Sequence, residues 1–372
     1  MRILFAGPAA AGHLFPMVPT AQALRAVGHE VLFASGQPLD QLRSAGFPVV
    51  EIGDGRSLRE IFAEHLGGEI EYVNRDKTQE EIFDMAAGLF AHASRPDVDG
   101  LLAAATGWGA DLIVHDSFHA APPVVAALLK IPSVVHNFGV TPGLDMAKLI
   151  ASHFTDVYEQ HGLTGPAGAT ALNLGPLGGD PDGLPMRYIP YNGGGIVPTE
   201  FLHPADRPRI VVTLGTVLAE IDGVRAVVRL VESAAEVDAD FLLAVGGADL
   251  TPLGTLPANV RGLPWVPLNE LLSRADALVH HGGSGTMLTA LQAGLPQLLL
   301  PQGADHFINA DALTATGAAL RSASEDVDTA LLDRLITDPD LRAAAHRLRS
   351  DNAALPTPTA VVPTLEALTT AS

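Results

Sequence analysis

Cysteine is absent from the 372 residues, which removes disulfides, thiolate metal sites and a cysteine nucleophile together. Lysine is almost absent, with only Lys77, Lys130 and Lys148, so an anionic ligand must be met by arginine, histidine, hydroxyls and backbone N–H groups. With 22 basic against 42 acidic side chains the formal net charge is −20, which speaks against nucleic acid and against anionic membrane surfaces as partners. Every long apolar run is broken by Gly or Pro before the roughly 20 residues that span a bilayer. The first apolar run carries one charge, Arg2, and stops at Gly7-Pro8, so it does not read as a signal peptide; a soluble, cytoplasmic protein is expected.

What is present is a strand, turn, helix pattern that occurs twice. Residues 2–5 read as a buried parallel strand and Gly7 to Gly12 as a turn. Pro16 opens a helix with Val18, Ala21, Leu24 and Val27 on one side, Gly28 caps it, and 31–34 is the next strand. This βαβ unit opens a doubly wound domain. A dinucleotide site would begin alike, but the turn lacks Gly-x-Gly-x-x-Gly and the second strand ends in Ser35-Gly36 without an acid for a ribose. The turn presents His13 instead. Strands at 111–114 and 133–135 end on His115-Asp116-Ser117 and His136-Asn137-Phe138, where open α/β sheets build their sites.

Residues 53–100, with Phe62, Tyr72 and Phe90, read as helices and loops over the sheet, while 139–187 show weak periodicity. The stretch from Tyr188 to Pro208 has the Gly and Pro content of a linker. The pattern then restarts with a strand at 209–214, a turn at Gly215-Thr216, a helix to about Ala235 and a strand at 241–245. A helix follows at 341–349, and Pro356, Pro358 and Pro363 interrupt a final apolar segment. The expected fold class is α/β, two Rossmann-like doubly wound domains at 1–191 and 209–355 joined by 192–208.

The densest chemistry lies between Ala277 and Ala310. An apolar strand runs into His280-His281-Gly282-Gly283-Ser284-Gly285-Thr286 and then a helix stopped by Gly294 and Pro296. A Gly-rich turn at a helix N-terminus gathers unpaired N–H groups and the positive dipole end, which suits phosphate; helix capping by Ser284 and Thr286 explains the same hydroxyls. A P-loop needs Gly-Lys, and no lysine is near. A nucleophile elbow needs Gly-x-Ser-x-Gly, and Thr286 occupies the last glycine. Asp238 and Asp240 read as a turn, and no carboxylate pair has the spacing of a dedicated metal site.

His13 suits a general base, because the unperturbed pKa of a histidine side chain lies near working pH, and Asp116 from another strand end suits a partner that fixes its tautomer. On the residues alone, a loop histidine and a helix-capping aspartate account for the same letters.

Trp265-Val266-Pro267, His281 to Thr286, Ala293-Gly294-Leu295-Pro296, and Pro301 with Asp305-His306 and Asn309-Ala310 resemble, in order and spacing, the donor-binding signature of nucleotide-sugar glycosyltransferases of the GT-B fold. The bacterial enzymes that glycosylate natural products are the most similar. The resemblance implies two domains facing a cleft, acceptor on the first and nucleotide sugar on the second, with 356–372 crossing back to the first. It implies His13, in Gly12-His13-Leu14-Phe15-Pro16, as the base and Asp116 as its partner.

The resemblance also assigns the donor site. His281, Gly283, Ser284, Gly285 and Thr286 form a diphosphate cradle that Thr216 joins, Trp265 stacks on the base, and Val266 reads its edge. Asp305 and His306 match a sugar-reading pair that is usually an acid followed by Gln, so His306 departs from the pattern. Thr289 and Leu268 stand where plant relatives carry Glu and Gln, which points to a thymidine diphosphate (TDP) deoxysugar as co-substrate. Neither a further cofactor nor a metal is implied. The expected reaction is inverting transfer to a hydrophobic aglycone such as a polyketide, and a homodimer is compatible with it. The rival readings are a sugar-nucleotide epimerase of the same architecture and a non-catalytic helper subunit that binds the nucleotide sugar.

Overall fold

The structure, a computed structural model, describes residues 1–68, 77–203, 205–215, 224–246 and 248–370. The chain divides into two compact units, the described residues of 1–187 with 355–370, and those of 188–354. Among the described residues no helix is long and apolar enough to cross a membrane.

The first unit is built on β1 (Arg2–Ala6), β2 (Glu30–Ser35), β3 (Val49–Glu51), β4 (Leu112–Asp116), β5 (Ser133–His136), β6 (Thr170–Leu174) and β7 (Leu184–Met186). All described pairings are parallel, in the order β3-β2-β1-β4-β5-β6-β7. The second unit has β8 (Arg209–Thr213), β9 (Asp240–Leu243), β10 (Val260–Gly262), β11 (Ala277–His280), β12 (Gln297–Leu299) and β13 (Ala319–Arg321). These are parallel in the order β10-β9-β8-β11-β12-β13.

Central strands β4 and β8 are buried at all five positions, whereas edge strands β3 and β10 are three residues long and partly exposed. That is the pattern of a parallel sheet covered on both faces, with short edges that discourage further pairing. The two-residue period of a strand divides the second unit's core. Ile210, Val212, Phe241, Leu243 and Val279 pack in one cluster, and the intervening Val211, Leu242 and Leu278 pack in another.

Several local expectations change. The first long helix is Val18–Ala26, and Val27, expected on its buried side, is 48% exposed. The helix ends one residue earlier because Gly28 at φ 98° turns the chain and His29 N–H bonds back to the Leu24 carbonyl. The helix expected at 341–349 runs over Pro339–Ala354. The last apolar segment is one helix, Pro358–Thr370, despite Pro363. Pro358 sits at its start, where no intrahelical N–H bond is lost, and Pro363 lies on the exposed side. This helix packs on Val18–Ala26 and β7 within the first unit.

The stretch 139–187 contains the helices Gly143–Ser152 and Thr155–Gln160 besides β6 and β7. Its organiser is Asp180, which is 5% exposed. Its carboxylate accepts from the first N–H groups of the helix, Gly143 and Leu144, at 3.0 Å each, and from the Asn137 amide at 2.8 Å. A carboxylate at a helix N-terminus satisfies orphan donors and the dipole together. Replacing Asp180 with Ala leaves those buried donors unpaired and is expected to cost about 2–4 kcal/mol, read as a lower urea midpoint; a change within 0.5 kcal/mol, the usual size for a surface substitution, would contradict this role.

Candidate active site

After β1, Gly7 lets the next helical turn fold tightly against the strand, since a Cβ there would lie 2.9 Å from Met17 Cε and 3.2 Å from Leu14 Cδ2. That turn, Ala11–Leu14, carries His13. At the end of the adjacent strand β4, Asp116 is fully buried. The two meet: His13 Nδ1 donates to Asp116 Oδ1 at 3.1 Å. The same oxygen accepts the Phe118 backbone N–H at 2.7 Å.

The rings of Phe90, Phe118 and Phe138 stand 5.3, 5.5 and 4.9 Å from the imidazole, centroid to centroid. His13 therefore has one nitrogen tied to a carboxylate inside an aromatic collar, with 16% of its side chain exposed. Beside Phe90 lies a small cavity of about 30 Å³, lined also by Ile52, Arg56, Asp97 and His119.

The other strand-end histidines turn inward. His115 donates from Nδ1 to the Asp116 carbonyl at 3.0 Å, and His136 from Nδ1 to the Asn137 carbonyl at 3.0 Å, with Thr20 Oγ1 2.8 Å from its other nitrogen. Burial pushes both down to about 4, so they are neutral at pH 7.

In the second unit β11 ends at His280, and the helix Ser284–Ala293 begins after Gly282 at φ 101° and an N-cap at Gly283. Its N-cap residue, being glycine, makes no side-chain cap bond. The Ser284 hydroxyl, at the first position of the helix, donates to Asp305 Oδ2 at 2.7 Å. Asn309 gives its amide to the same oxygen at 2.7 Å, to Ser284 Oγ at 3.0 Å and to the Gly282 carbonyl at 2.8 Å. His280 accepts the Gly282 N–H on Nδ1 and donates from Nε2 to Gln297 Oε1. Its role is to hold the turn.

His281 is 9% exposed, and glycines clear the space around its ring. A Cβ on Gly215 would come within 2.6 Å of His281 Cε1, and one on Gly283 within 2.4 Å of Nε2. His306 is 2% exposed and stands edge-on to His281, centroids 4.7 Å apart. Burial pushes His281 down to about 3; His306 acts in the same direction, against Asp305 and the Thr213 backbone. His280 and His306 are also pushed to about 3, mainly by burial.

Gly285 and Thr286 are partly exposed at the first helical turn. Thr289 is 1% exposed, and its hydroxyl donates to the Gly285 carbonyl at 2.7 Å beside Tyr188 Oη at 3.1 Å. Trp265 is 50% exposed, which removes core burial as its explanation, and Val266 next to it is 7% exposed. Thr216 lies outside the described residues.

The structure thus brings His13 to Asp116, and His281 to Ser284, Asp305 and His306. Phe118 was not picked out from sequence, although it follows a strand end that was; Phe138 was named only as part of its strand end, not as a wall around His13.

Five buried histidines held neutral make stability depend on acid. In the unfolded chain each titrates near 6.5, and in the folded chain near 3 or 4. Their contribution is complete above about pH 6.5 and is lost as pH falls towards the folded values, because the unfolded state binds the protons first. Urea unfolding is expected to show a loss of several kcal/mol between about pH 7 and about pH 5, up to ~1.4 kcal/mol per pH unit for each histidine; a flat profile there would refute it.

Two family models cover most of the chain: the Erythromycin biosynthesis protein CIII-like N-terminal domain matches residues 22–215 and the corresponding C-terminal domain residues 228–368. Elloramycin glycosyltransferase ElmGT of Streptomyces olivaceus is 37% identical, over 96% of this chain and 95% of its own. Among solved structures, the glycosyltransferase SnogD from Streptomyces nogalater is 38% identical with a TM-score of 0.86, covering 99% of both chains. Glycosyltransferase SsfS6 from Streptomyces sp. SF2575, solved with thymidine diphosphate, is 27% identical with a TM-score of 0.85 over 99% of both. Two parallel-sheet α/β domains with these neighbours are the GT-B class that the resemblance implied. The relatives are named as transferases, which decides against the epimerase reading. The chain belongs to the Erythromycin biosynthesis protein CIII-like family of bacterial natural-product glycosyltransferases.

Proposed function

We propose that the protein transfers a deoxysugar from TDP to a hydroxyl or other nucleophile of a hydrophobic natural-product aglycone, a polyketide being the type case, with inversion at the anomeric carbon. The observation that carries the reading is the contact of His13 Nδ1 with Asp116 Oδ1 at 3.1 Å, made by residues 103 positions apart. With Nδ1 donating to the carboxylate, His13 Nε2 takes the acceptor proton. The acceptor atom attacks C1 of the sugar, the bond from C1 to the phosphate oxygen breaks, and its electron pair leaves with TDP. Asp116 fixes the tautomer and stabilises the imidazolium that forms. The Phe90, Phe118 and Phe138 collar suits an apolar acceptor.

Charge on the leaving diphosphate is met by His281, the N–H groups of Gly283 to Gly285 and the Thr286 hydroxyl, with Thr216 as a further donor. Preorganised donors of this kind stabilise developing charge without a metal. Trp265 offers its half-exposed face to the nucleobase and Val266 its backbone to the base edge, while Asp305 reads the sugar. The donor preference rests on Thr289, whose buried hydroxyl is engaged by Gly285 and Tyr188. It brings no carboxylate to a ribose 2′-hydroxyl, so a 2′-deoxy nucleotide loses nothing there. TDP is also the ligand in the SsfS6 structure.

Calorimetry is expected to give tighter binding for TDP than for UDP, and the reverse order would overturn the donor assignment. In turnover assays with a TDP-sugar and aromatic or macrocyclic aglycones, His13→Ala and Asp116→Asn are each expected to slow transfer by about 10²-fold or more while leaving TDP affinity within about twofold. Undiminished glycoside formation in His13→Ala would undo the mechanism. Chelation with EDTA is expected to leave the rate unchanged, and loss restored by a divalent cation would place a metal in the reaction.

A further inference from the structure

His306 departs from the acid-Gln pattern that the resemblance led us to expect, and its surroundings suggest a different task. It opens the helix His306–Thr314, and its ring is 2% exposed. The ring meets His281 edge-on, with planes at 78° and centroids 4.7 Å apart. A Cβ on Gly282 would lie 3.1 Å from both the Cβ and the carbonyl oxygen of His306, so the glycine turn rests directly on this residue.

The contact is held in place from both sides. Asn309, one helical turn on, ties the helix to the Gly282 carbonyl and to Ser284. Ala304, just before it, adopts φ 50°, a left-handed conformation that an alanine keeps only where its surroundings over-determine it. Gly215 and Gly283 approach other parts of the His281 ring, where any Cβ would come within 2.6 Å. The imidazole is thus boxed by two glycines and a second imidazole.

Orientation matters here because the ring also donates to the Thr213 backbone, so only its other nitrogen can present a proton to a phosphate. Rotating the ring swings that donor away from a fixed acceptor, and hydrogen bonds weaken steeply as they bend. We propose, building on the reading above that this turn holds the donor diphosphate, that His306 is a positioning residue: its buried ring is the wall that sets the rotation of His281 and so aims the phosphate-binding N–H.

The test compares His306→Ala, His306→Phe and His306→Gln in the full chain, with TDP and thymidine as probes, by calorimetry and ligand-observed NMR. His306→Ala and His306→Gln, which lack a flat ring, are expected to weaken TDP by roughly tenfold or more, the size of one hydrogen bond to a charged group. Thymidine, which has no diphosphate, is expected to bind all variants within about twofold of the unsubstituted chain. His306→Phe restores the wall and is expected to recover TDP affinity to within about threefold.

TDP affinity unchanged in His306→Gln, no recovery in a folded His306→Phe, or a parallel loss for thymidine would each overturn the positioning role. Thermal melting of each variant identifies a fold defect, and His306→Phe and His306→Gln carry the test if His306→Ala does not fold. An unsubstituted chain that binds neither TDP nor UDP would overturn the functional reading itself, a result distinct from any of these.

Discussion

The constraint on which everything else depends is the handedness of a parallel crossover. Strands joined through helices turn right-handed almost without exception, so a chain that first builds outward on one side of its opening strand and then returns to the other must leave a crevice at the strands' carboxyl ends. Here the chain runs from β1 to β2 and β3 and returns to β4 beside β1, then runs from β8 to β9 and β10 and returns to β11 beside β8. His13 and Asp116 come from the β1 and β4 ends, Gly215 and His281 from the β8 and β11 ends. In each unit the reversal brings together residues far apart in the chain, without any local signal that they will meet.

What fills each crevice is governed by desolvation. A fully buried carboxylate is costly unless its charge is answered, and Asp116 receives the His13 ring N–H and the Phe118 backbone N–H on one oxygen. The second unit sets buried imidazoles beside a glycine-rich turn at a helix N-terminus. Burial holds His280, His281 and His306 neutral, His280 spends both nitrogens on the turn and on Gln297, and glycines stand wherever a side chain would strike His281. Ser284, Asp305 and Asn309 form one hydrogen-bonded group that fastens the helix after β12 to the glycine turn. Rigid donors in a dry site stabilise developing negative charge better than water does, because they need not reorganise.

Much of this could be read from the letters, for a physical reason. Apolar runs bounded by Gly and Pro mark buried parallel strands because both faces of such a strand are covered, and the glycines of the 282–285 turn are required by backbone geometry and close approach. Boundaries were less legible: Val27 falls outside its helix because the capping turn begins one residue sooner, and Pro363 is accommodated on an exposed helix face. Side-chain surroundings were not legible at all. Trp265 reads equally as core or as a stacking face until its half-exposure is known, and the ring collar of His13 draws Phe90, Phe118 and Phe138 from three separate segments. For His306 the resemblance implied a sugar contact, and the structure adds an edge-on contact of its ring with His281.

By itself, the sequence determined two successive doubly wound halves, a glycine-rich turn at a helix N-terminus without a lysine nearby, and a histidine and an aspartate each at a strand end. These follow from local rules, in which period, turn chemistry and residue type act within a few positions. The tertiary structure decided that His13 and Asp116 form a couple, that His115 and His136 do not join it, and that three histidines of the second unit are neutral. Those outcomes depend on distance, burial and ring orientation between residues many positions apart, which the order of side chains along the backbone does not encode locally.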